Sequence, residues 1–363
     1  MHFLKETARI AGAFVGVVVG AGFASGQEIL QFFTSFGMAG LAGAVVSSAL
    51  FIFMAMALST LGQQQTAESH KDVVQAICGR YLGPLVDALV TIFMLVLAVV
   101  MIAGGGALVT QLTGIQSIWG CIAIAVFTIL IVWLDLRQVI NLVCSVTPLL
   151  AFMVVIVSAL AFAGRTADMQ TLEIAAQSLP GASSHWFLAA LLYVSYNVIA
   201  GAPFLIIMGG QTSNSRAAMW GGIFGGILLG ALMLMLAGGM FARVDELSGV
   251  SIPTLHLAAQ SSPTLAILMA IAIFATILNT AVGVLYSFAA RLFEPGTARF
   301  RLGSAAGGLV AFAGSMFGFT QLIGTVYPFF GYLGFILMAY TLVGWLRLKS
   351  GAMPAQPSSI AAD

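Results

Sequence analysis

The chain has 363 residues, 60% hydrophobic and 7% charged, with a mean hydropathy of +1.07 and a formal net charge of +1 at pH 7. A soluble globular domain carries about 25% charged residues, so the composition excludes one, and the near-neutral balance argues against a nucleic-acid partner. What it describes is a polytopic membrane protein whose first partner is the lipid bilayer.

Crossing ~30 Å of hydrocarbon takes about 20 residues per helix, and ten such segments can be placed. The first runs from about Ile10 to Phe36. Its midpoint falls in Gly20-Ala21-Gly22-Phe23-Ala24-Ser25-Gly26-Gln27-Glu28, where three glycines lie within seven residues. Glycine costs roughly 1 kcal/mol against alanine in a helix interior. At bilayer depth the backbone leaves the helix only where protein or a water-filled cavity accepts its polar groups, so the stretch predicts a break that forms a site. Gly22 and Gly26 also have the spacing of a small-residue packing interface. Glu28 lies about 7 Å beyond the midpoint at ~1.5 Å per residue, where an ionised group costs ~2.5–3.5 kcal/mol. No other acid is well inside an apolar segment. It reads as a proton carrier, a ligand for a substrate ammonium group, an extracellular gate, or a structural carboxyl tied to freed backbone N–H groups. Lys5 and Arg9 before an apolar run suggest a signal peptide cleaved near Ala24, but apolar sequence resumes at Ile29, Leu30, Phe32 and Phe33.

A second segment runs from about Met38 to Leu61 and ends in a polar stretch from Gln63 to Asp72. Apolar positions at Val73, Val74, Ala76, Ile77 and Tyr81 have helical spacing and predict a short interfacial helix over 72–81. Segment three covers about Leu85 to Leu112, and its Gly104-Gly105-Gly106 run reads as close approach of another helix or as substrate contact. Segments four and five cover about Ile118 to Leu134 and Val139 to Ala163, and a polar loop runs from Gly164 to Ser184. In segment six, about Trp186 to Met208, the centre reads Ser195-Tyr196-Asn197-Val198-Ile199-Ala200-Gly201-Ala202-Pro203. Glycine and proline both disfavour continuous helix, which predicts a second break. Tyr193, Ser195, Tyr196, Asn197 and Gly201 are its candidate substrate-lining residues. Segment seven spans about Met219 to Phe241, followed by a short helix at Pro253–Gln260 with proline in its first turn. Segments eight, nine and ten cover about Leu265 to Phe293, Leu302 to Phe319 and Ile323 to Leu346, before a Pro-, Ala- and Ser-rich tail that reads as disordered. Cys78, Cys121 and Cys144 show no metal or redox spacing.

With the N-terminus inside, the cytoplasmic side receives Lys5, Arg9, Lys71, Arg80, Arg137, Arg216, Arg291, Arg299, Arg301, Arg347 and Lys349, leaving only Arg165 and Arg243 outside. That asymmetry predicts a multi-pass cell-membrane protein with both termini cytoplasmic. The two breaks lie five spans apart, and an odd number of spans reverses the second copy. The arrangement is therefore an inverted repeat with a broken helix opening each half, a sequence pointer to a midplane transport site. The expected fold class is an all-α membrane protein with ten transmembrane helices as a 5+5 inverted repeat. Its parts are residues 1–163 and 184–349 as the two repeats, 164–183 as an extracellular loop and 350–363 as a cytoplasmic tail.

The motif Gly20 to Glu28 resembles the hallmark of the YkvI-type membrane proteins, which belong with the amino acid–polyamine–organocation (APC) superfamily of LeuT fold. The similarity covers nearly the whole chain. It implies that helices one and six supply the central site, with Ala21, Gly22, Phe23, Ala24, Ser25, Gly26 and Gln27 contributing from the first, that helices three and eight line it, and that a sodium site lies between the first break and helix eight. On helix eight, Thr276, Asn279 and Thr280 share one face, continued by Gly283 and Ser287. Hard cations prefer oxygen ligands. The Asn279 and Thr280 side chains, the Thr276 carbonyl and carbonyls near Gly20 and Phe23 are candidates for Na+. Asn279 departs from the hydroxyl residue expected in sodium-coupled members, so sodium and proton coupling both stay open.

The function these features predict is a cation-coupled secondary transporter, a symporter of a small zwitterion or amine such as an amino acid, with no resident cofactor. Proton-coupled transport of another solute is an alternative. So is a metal-ion transporter, although Ala21 to Ser25 holds no acid and Met208 lies at the end of segment six. A non-transporting sensor is a third. His2, His70, His185 and His256 all lie in termini or loops, so no buried His–acid pair indicates an enzyme.

Overall fold

A computed structural model describes residues 2–65, 70–134, 136–165 and 167–351, without the side chains of 21, 70–82 and 136–147. The predicted tail from 352 onward, residues 66–69 and Asp135 lie outside it, as do the side chains of Cys78, Cys144, Lys71, Arg80 and Arg137. The described residues form α1 (His2–Val18), α2 (Ala21–Ser25), α3 (Gln27–Phe32), α4 (Gly37–Gln64), α5 (His70–Thr113), α6 (Ser117–Val132) and α7 (Leu136–Ala163). They continue as α8 (Met169–Gln177), α9 (Trp186–Gly210), α10 (Ser215–Phe241), α11 (Pro253–Ser261), α12 (Pro263–Leu292), α13 (Ala298–Ser315) and α14 (Phe319–Lys349). Each apolar segment read from the sequence falls on a helix. Six stretches among the described residues are long and apolar enough to cross a membrane: Gln27–Gln64, Gly83–Thr113, Trp186–Gly210, Ser215–Phe241, Pro263–Leu292 and Phe319–Lys349.

Three expectations are corrected. The break predicted in segment six is absent, because α9 is helical throughout with Pro203 inside it. Proline removes one intrahelical bond, a loss that membrane helices tolerate when neighbours compensate, and Gly201 has a packing role: a Cβ there would stand 3.4 Å from the Phe14 ring of α1. The separate interfacial helix at 72–81 is instead the start of α5, which continues through Pro84. The loop after α7 is not wholly irregular, since it contains α8, whose Glu173 Oε2 accepts the Met38 N–H at 3.0 Å and so satisfies an orphan donor at the start of α4.

Two helix groups make the body. In one, α1, α4, α9 and α10 pack together, and in the other α5, α6, α12 and α13, while α7 touches α10 and α12, and α14 touches α9 and α5. Close approach of α4 to α10 comes from glycines at i, i+4 and i+8. A Cβ at Gly222, Gly226 or Gly230 would stand 2.5 Å from Ala55 C, 2.5 Å from Ile52 Cα and 2.7 Å from Ser48 Cβ respectively. The Gly104–Gly106 run likewise serves packing, with Gly105 and Gly106 seated against Ile124, Cys121 and Ser117 of α6.

Candidate substrate site

The predicted first break is present. Helix α1 ends at Val18, Gly20 is extended (φ −85°, ψ −170°), and Gly26 adopts φ 79° between α2 and α3. That left-handed conformation suits glycine; a Cβ there would also meet Thr254 Cγ2 at 2.9 Å. The interruption exposes the last carbonyls of α1 and the first N–H groups of α2. Several freed groups find partners locally. Ser25 Oγ donates to Gly22 O at 2.8 Å and accepts from Gln27 N at 3.2 Å, and Gly26 N donates to Phe23 O at 3.0 Å. Thr254 Oγ1 of α11 donates to Ala24 O at 2.6 Å, so α11 is fastened onto the broken segment. Gln111 of α5 holds the chain just before α11 by both amide atoms, donating to Ile252 O at 3.0 Å and accepting from Ile252 N at 2.9 Å. Gln27, 2% exposed, has its amide beside the Val250 and Ser251 carbonyls and Gln31.

Glu28 sits at the focus of the buried polar groups. It is 5% exposed and folds back over α2, where a Cβ on Gly22 would overlap its carboxylate. Tyr196 Oη donates to Glu28 Oε2 at 2.8 Å. The buried Tyr193 hydroxyl faces the same carboxylate without a partner in hydrogen-bonding geometry. Around these groups lie aromatic rings: Tyr196 stacks on Tyr327 of α14 at 4.6 Å between centroids, and meets Phe32 at 5.6 Å and Phe93 of α5 at 6.4 Å. Tyr193 meets Phe33 at 4.9 Å and Phe51 of α4 at 5.8 Å. Residues of α2, α3, α5, α9 and α14 thus cluster around Glu28 and the Tyr196 that bonds it.

Not every candidate arrives there. Ser195 Oγ donates to Gly331 O at 2.6 Å and ties α9 to α14, while Asn197 Nδ2 donates to Tyr193 O at 2.9 Å within its own helix. With Gly201 against Phe14, those three make contacts within or between helices, while Tyr193 and Tyr196 are the α9 candidates beside Glu28. Phe23 and Ala24 are fully buried beside the break, and the Ala21 side chain lies outside the description. On α12, Thr280 is brought to the break: its Oγ1 lies 3.7 Å from where a Gly20 Cβ would stand. Thr276 Oγ1 donates to Ala272 O at 2.7 Å in its own helix, and Asn279 is half-buried one turn on. Tyr327 and Phe93 against Tyr196, Gln111 on Ile252 and Thr254 on Ala24 are not among the sequence candidates. Pro253 at the start of α11 was the one signal for Thr254.

No family model matches the chain. It is similar to the uncharacterized membrane protein YkvI of Bacillus subtilis (strain 168), 24% identical over 330 residues, covering 90% of this chain and 93% of YkvI. The uncharacterized protein YyaD of the same strain is 24% identical over 333 residues, covering 91% and 94%. Among solved structures the fold matches MhsT in complex with L-phenylalanine (TM-score 0.63, 14% identity, 97% of this chain and 92% of that one). It also matches the inward-facing conformation of Mhp1 (0.61, 15%, 94% and 75%) and a mutant of the Eremococcus coleocola manganese transporter (0.57, 15%, 99% and 90%). The molecule is therefore an all-helical membrane protein with the LeuT-type fold. Its similarity to YkvI covers 90% of the chain, in keeping with the resemblance read from Gly20 to Glu28.

Proposed function

We propose that the protein is a cation-coupled secondary transporter of a small zwitterionic or amine solute, with an amino acid as the first candidate, and not an enzyme. It works by alternating access around the break in the first helix. The observation that carries this reading is the break itself: unwound backbone at Gly20 and Gly26 is held between α11 and α12 beside a buried carboxylate, the arrangement transporters use for midplane sites. Support at fold level comes from MhsT, which binds L-phenylalanine, and from the manganese transporter. The amine or zwitterion reading is preferred to a metal because aromatic rings cluster on Tyr196, the residue that bonds the carboxylate, and among the described residues no three His, Cys, Asp or Glu side chains converge.

The finer architecture is part of the same proposal: ten spans in two inverted halves, 1–163 and 184–349, with 164–183 outside, and the termini and residues 350–363 cytoplasmic in the cell membrane. The pairing of α1 and α4 with α9 and α10, and of α5 and α6 with α12 and α13, supports it, since equivalent helices of two intertwined halves meet in this way. For the coupling ion, Thr280 beside Gly20 supports a sodium site using Thr280, Asn279 and the carbonyls of Thr276, Gly20 and Phe23.

Thermal unfolding of the purified protein tests the reading. Ligand bound to the native state raises the unfolding free energy by mass action, so common amino acids and small amines are screened with sodium or potassium at two pH values. Stabilisation that needs sodium and is lost in Asn279→Ala and Thr280→Ala is the expected result. If no zwitterion or amine stabilises the protein, the substrate assignment fails.

A further inference from the structure

We propose that the end of the bundle formed by α6, α12 and α13 holds one anionic glycerophospholipid, its phosphate on Arg301 and its acyl chains along the apolar surface beside it. A cavity of about 490 Å3 opens there, lined by Trp133 just after α6, Tyr286 of α12, and Phe300 and Arg301 of α13, with the Pro295-Gly296 turn between the last two helices. It shares no residue with the cluster around Glu28.

The level of the cavity follows from the helices. The stretch Pro263–Leu292 is long and apolar enough to cross a bilayer and α6 is apolar from Ser117 to Val132, so the cavity lies where both give out. Aromatic side chains with a polar tip concentrate at such a boundary. Trp133 fits that pattern: its side chain is exposed, while Nε1–H donates to Ser304 Oγ at 3.1 Å and to Arg301 O at 3.3 Å and so fastens the end of α6 to α13. Tyr286 meets Phe300 edge-on at 5.3 Å between centroids. The walls are thus held by their own contacts.

Their chemistry selects the occupant. Arg301 brings a positive charge, and among the described residues no carboxylate pairs with it, neither Glu294 on the adjoining turn nor Asp87, which is taken by Arg291 at 2.6 Å. A guanidinium binds phosphate oxygens through two parallel N–H bonds. A soluble phosphate would satisfy Arg301 alone and leave the apolar surface bare, since Leu134, which lines the cavity, and Leu302, next to Arg301, are both exposed. A phospholipid covers both kinds of surface, and basic pockets between membrane helices suit anionic headgroups. A zwitterionic lipid offers the same chains but brings a cation of its own towards Arg301.

Native mass spectrometry and thermal unfolding of the full-length, delipidated protein in detergent test the site. The probes are phosphatidylglycerol, phosphatidylcholine with the same acyl chains, and glycerol 3-phosphate. Phosphatidylglycerol should bind about five- to tenfold more tightly than phosphatidylcholine and raise the unfolding midpoint by mass action, and glycerol 3-phosphate should do neither. Arg301→Gln should remove the preference, and without lipid it should unfold at the wild-type midpoint, because the guanidinium has no partner to lose among the described residues. Arg299→Gln, on an exposed residue of the same helix outside the cavity, should keep the preference. Arg301→Lys keeps the charge without the planar fork, so it should weaken phosphatidylglycerol binding, and it carries the test where the glutamine variant does not fold. Equal binding of the two lipids overturns the site. So does a preference that Arg301 substitution leaves intact, or one that Arg299→Gln removes equally, since the anion is then held elsewhere or by net charge. Displacement of phosphatidylglycerol by an equal concentration of glycerol 3-phosphate assigns the cavity to a soluble phosphate and overturns the lipid.

Discussion

At Gly22 the absence of a side chain has a chemical consequence, because the Glu28 carboxylate lies where a Cβ would be. Gly22→Ala should therefore displace the carboxylate from Tyr196 and abolish ligand-induced stabilisation. Gly20→Ala should fold normally, since its extended backbone suits any residue and its nearest neighbour, Thr280, stays at ordinary contact distance. Thermal unfolding of both variants, with and without ligand, separates these outcomes. Tyr196→Phe removes a hydrogen bond to a carboxyl group and should lower stability by about 1–3 kcal/mol, measured by denaturation in detergent. How much of this was legible in the sequence follows from which residues carry a signal. An acid and clustered glycines inside an apolar run are rare and costly, so Glu28 and the stretch from Gly20 to Gly26 stand out before any fold is known. Tyr327 and Phe93 do not, because a helix apolar on all sides hides which aromatic faces the core and which faces lipid. Ser195 and Asn197 show a complementary limit: a small polar side chain bonds a carbonyl of its own helix, as Asn197 does, or of a neighbouring one, as Ser195 does, and spacing does not reveal which.

Among the helices, α9 is where sequence expectation and structure part. Gly201 and Pro203 read as helix breakers, yet in a membrane helix a glycine is also a packing surface and one lost backbone bond is tolerable. Two glycines of α10 test the packing role. Gly226→Ala drives a methyl into Ile52 of α4 and should cost about 1–3 kcal/mol as overpacking, whereas Gly238→Ala on the same helix meets nothing within 4 Å and should be neutral or gain up to ~1 kcal/mol in helix propensity. Comparing their midpoints of thermal unfolding checks both. The segment before α11 has its own test. Gln111→Ala removes both bonds to Ile252, about 1–3 kcal/mol together, and should speed hydrogen exchange at residues 250–255 while leaving the amides of α4 and α10 protected.

For the whole molecule, helix positions were the most legible feature, since each apolar segment after the first became one helix, the first broke where its glycines cluster, and α11 followed its Pro253 signal. Pairing of the helices was not, because long apolar segments carry almost no information about which neighbour each one meets. That pairing gathers residues of α2, α3, α5, α9 and α14 around Glu28 and Tyr196 and sets α12 against the break. If the site is a transport site, the same residues must govern both binding and flux. The most direct measurement is uptake into proteoliposomes of the amine or amino acid that stabilises the purified protein, comparing wild type with Gly22→Ala and Glu28→Gln. Uptake above protein-free vesicles that both substitutions abolish is the predicted result. Stoichiometric binding with no flux, or flux that survives both substitutions, would contradict the account.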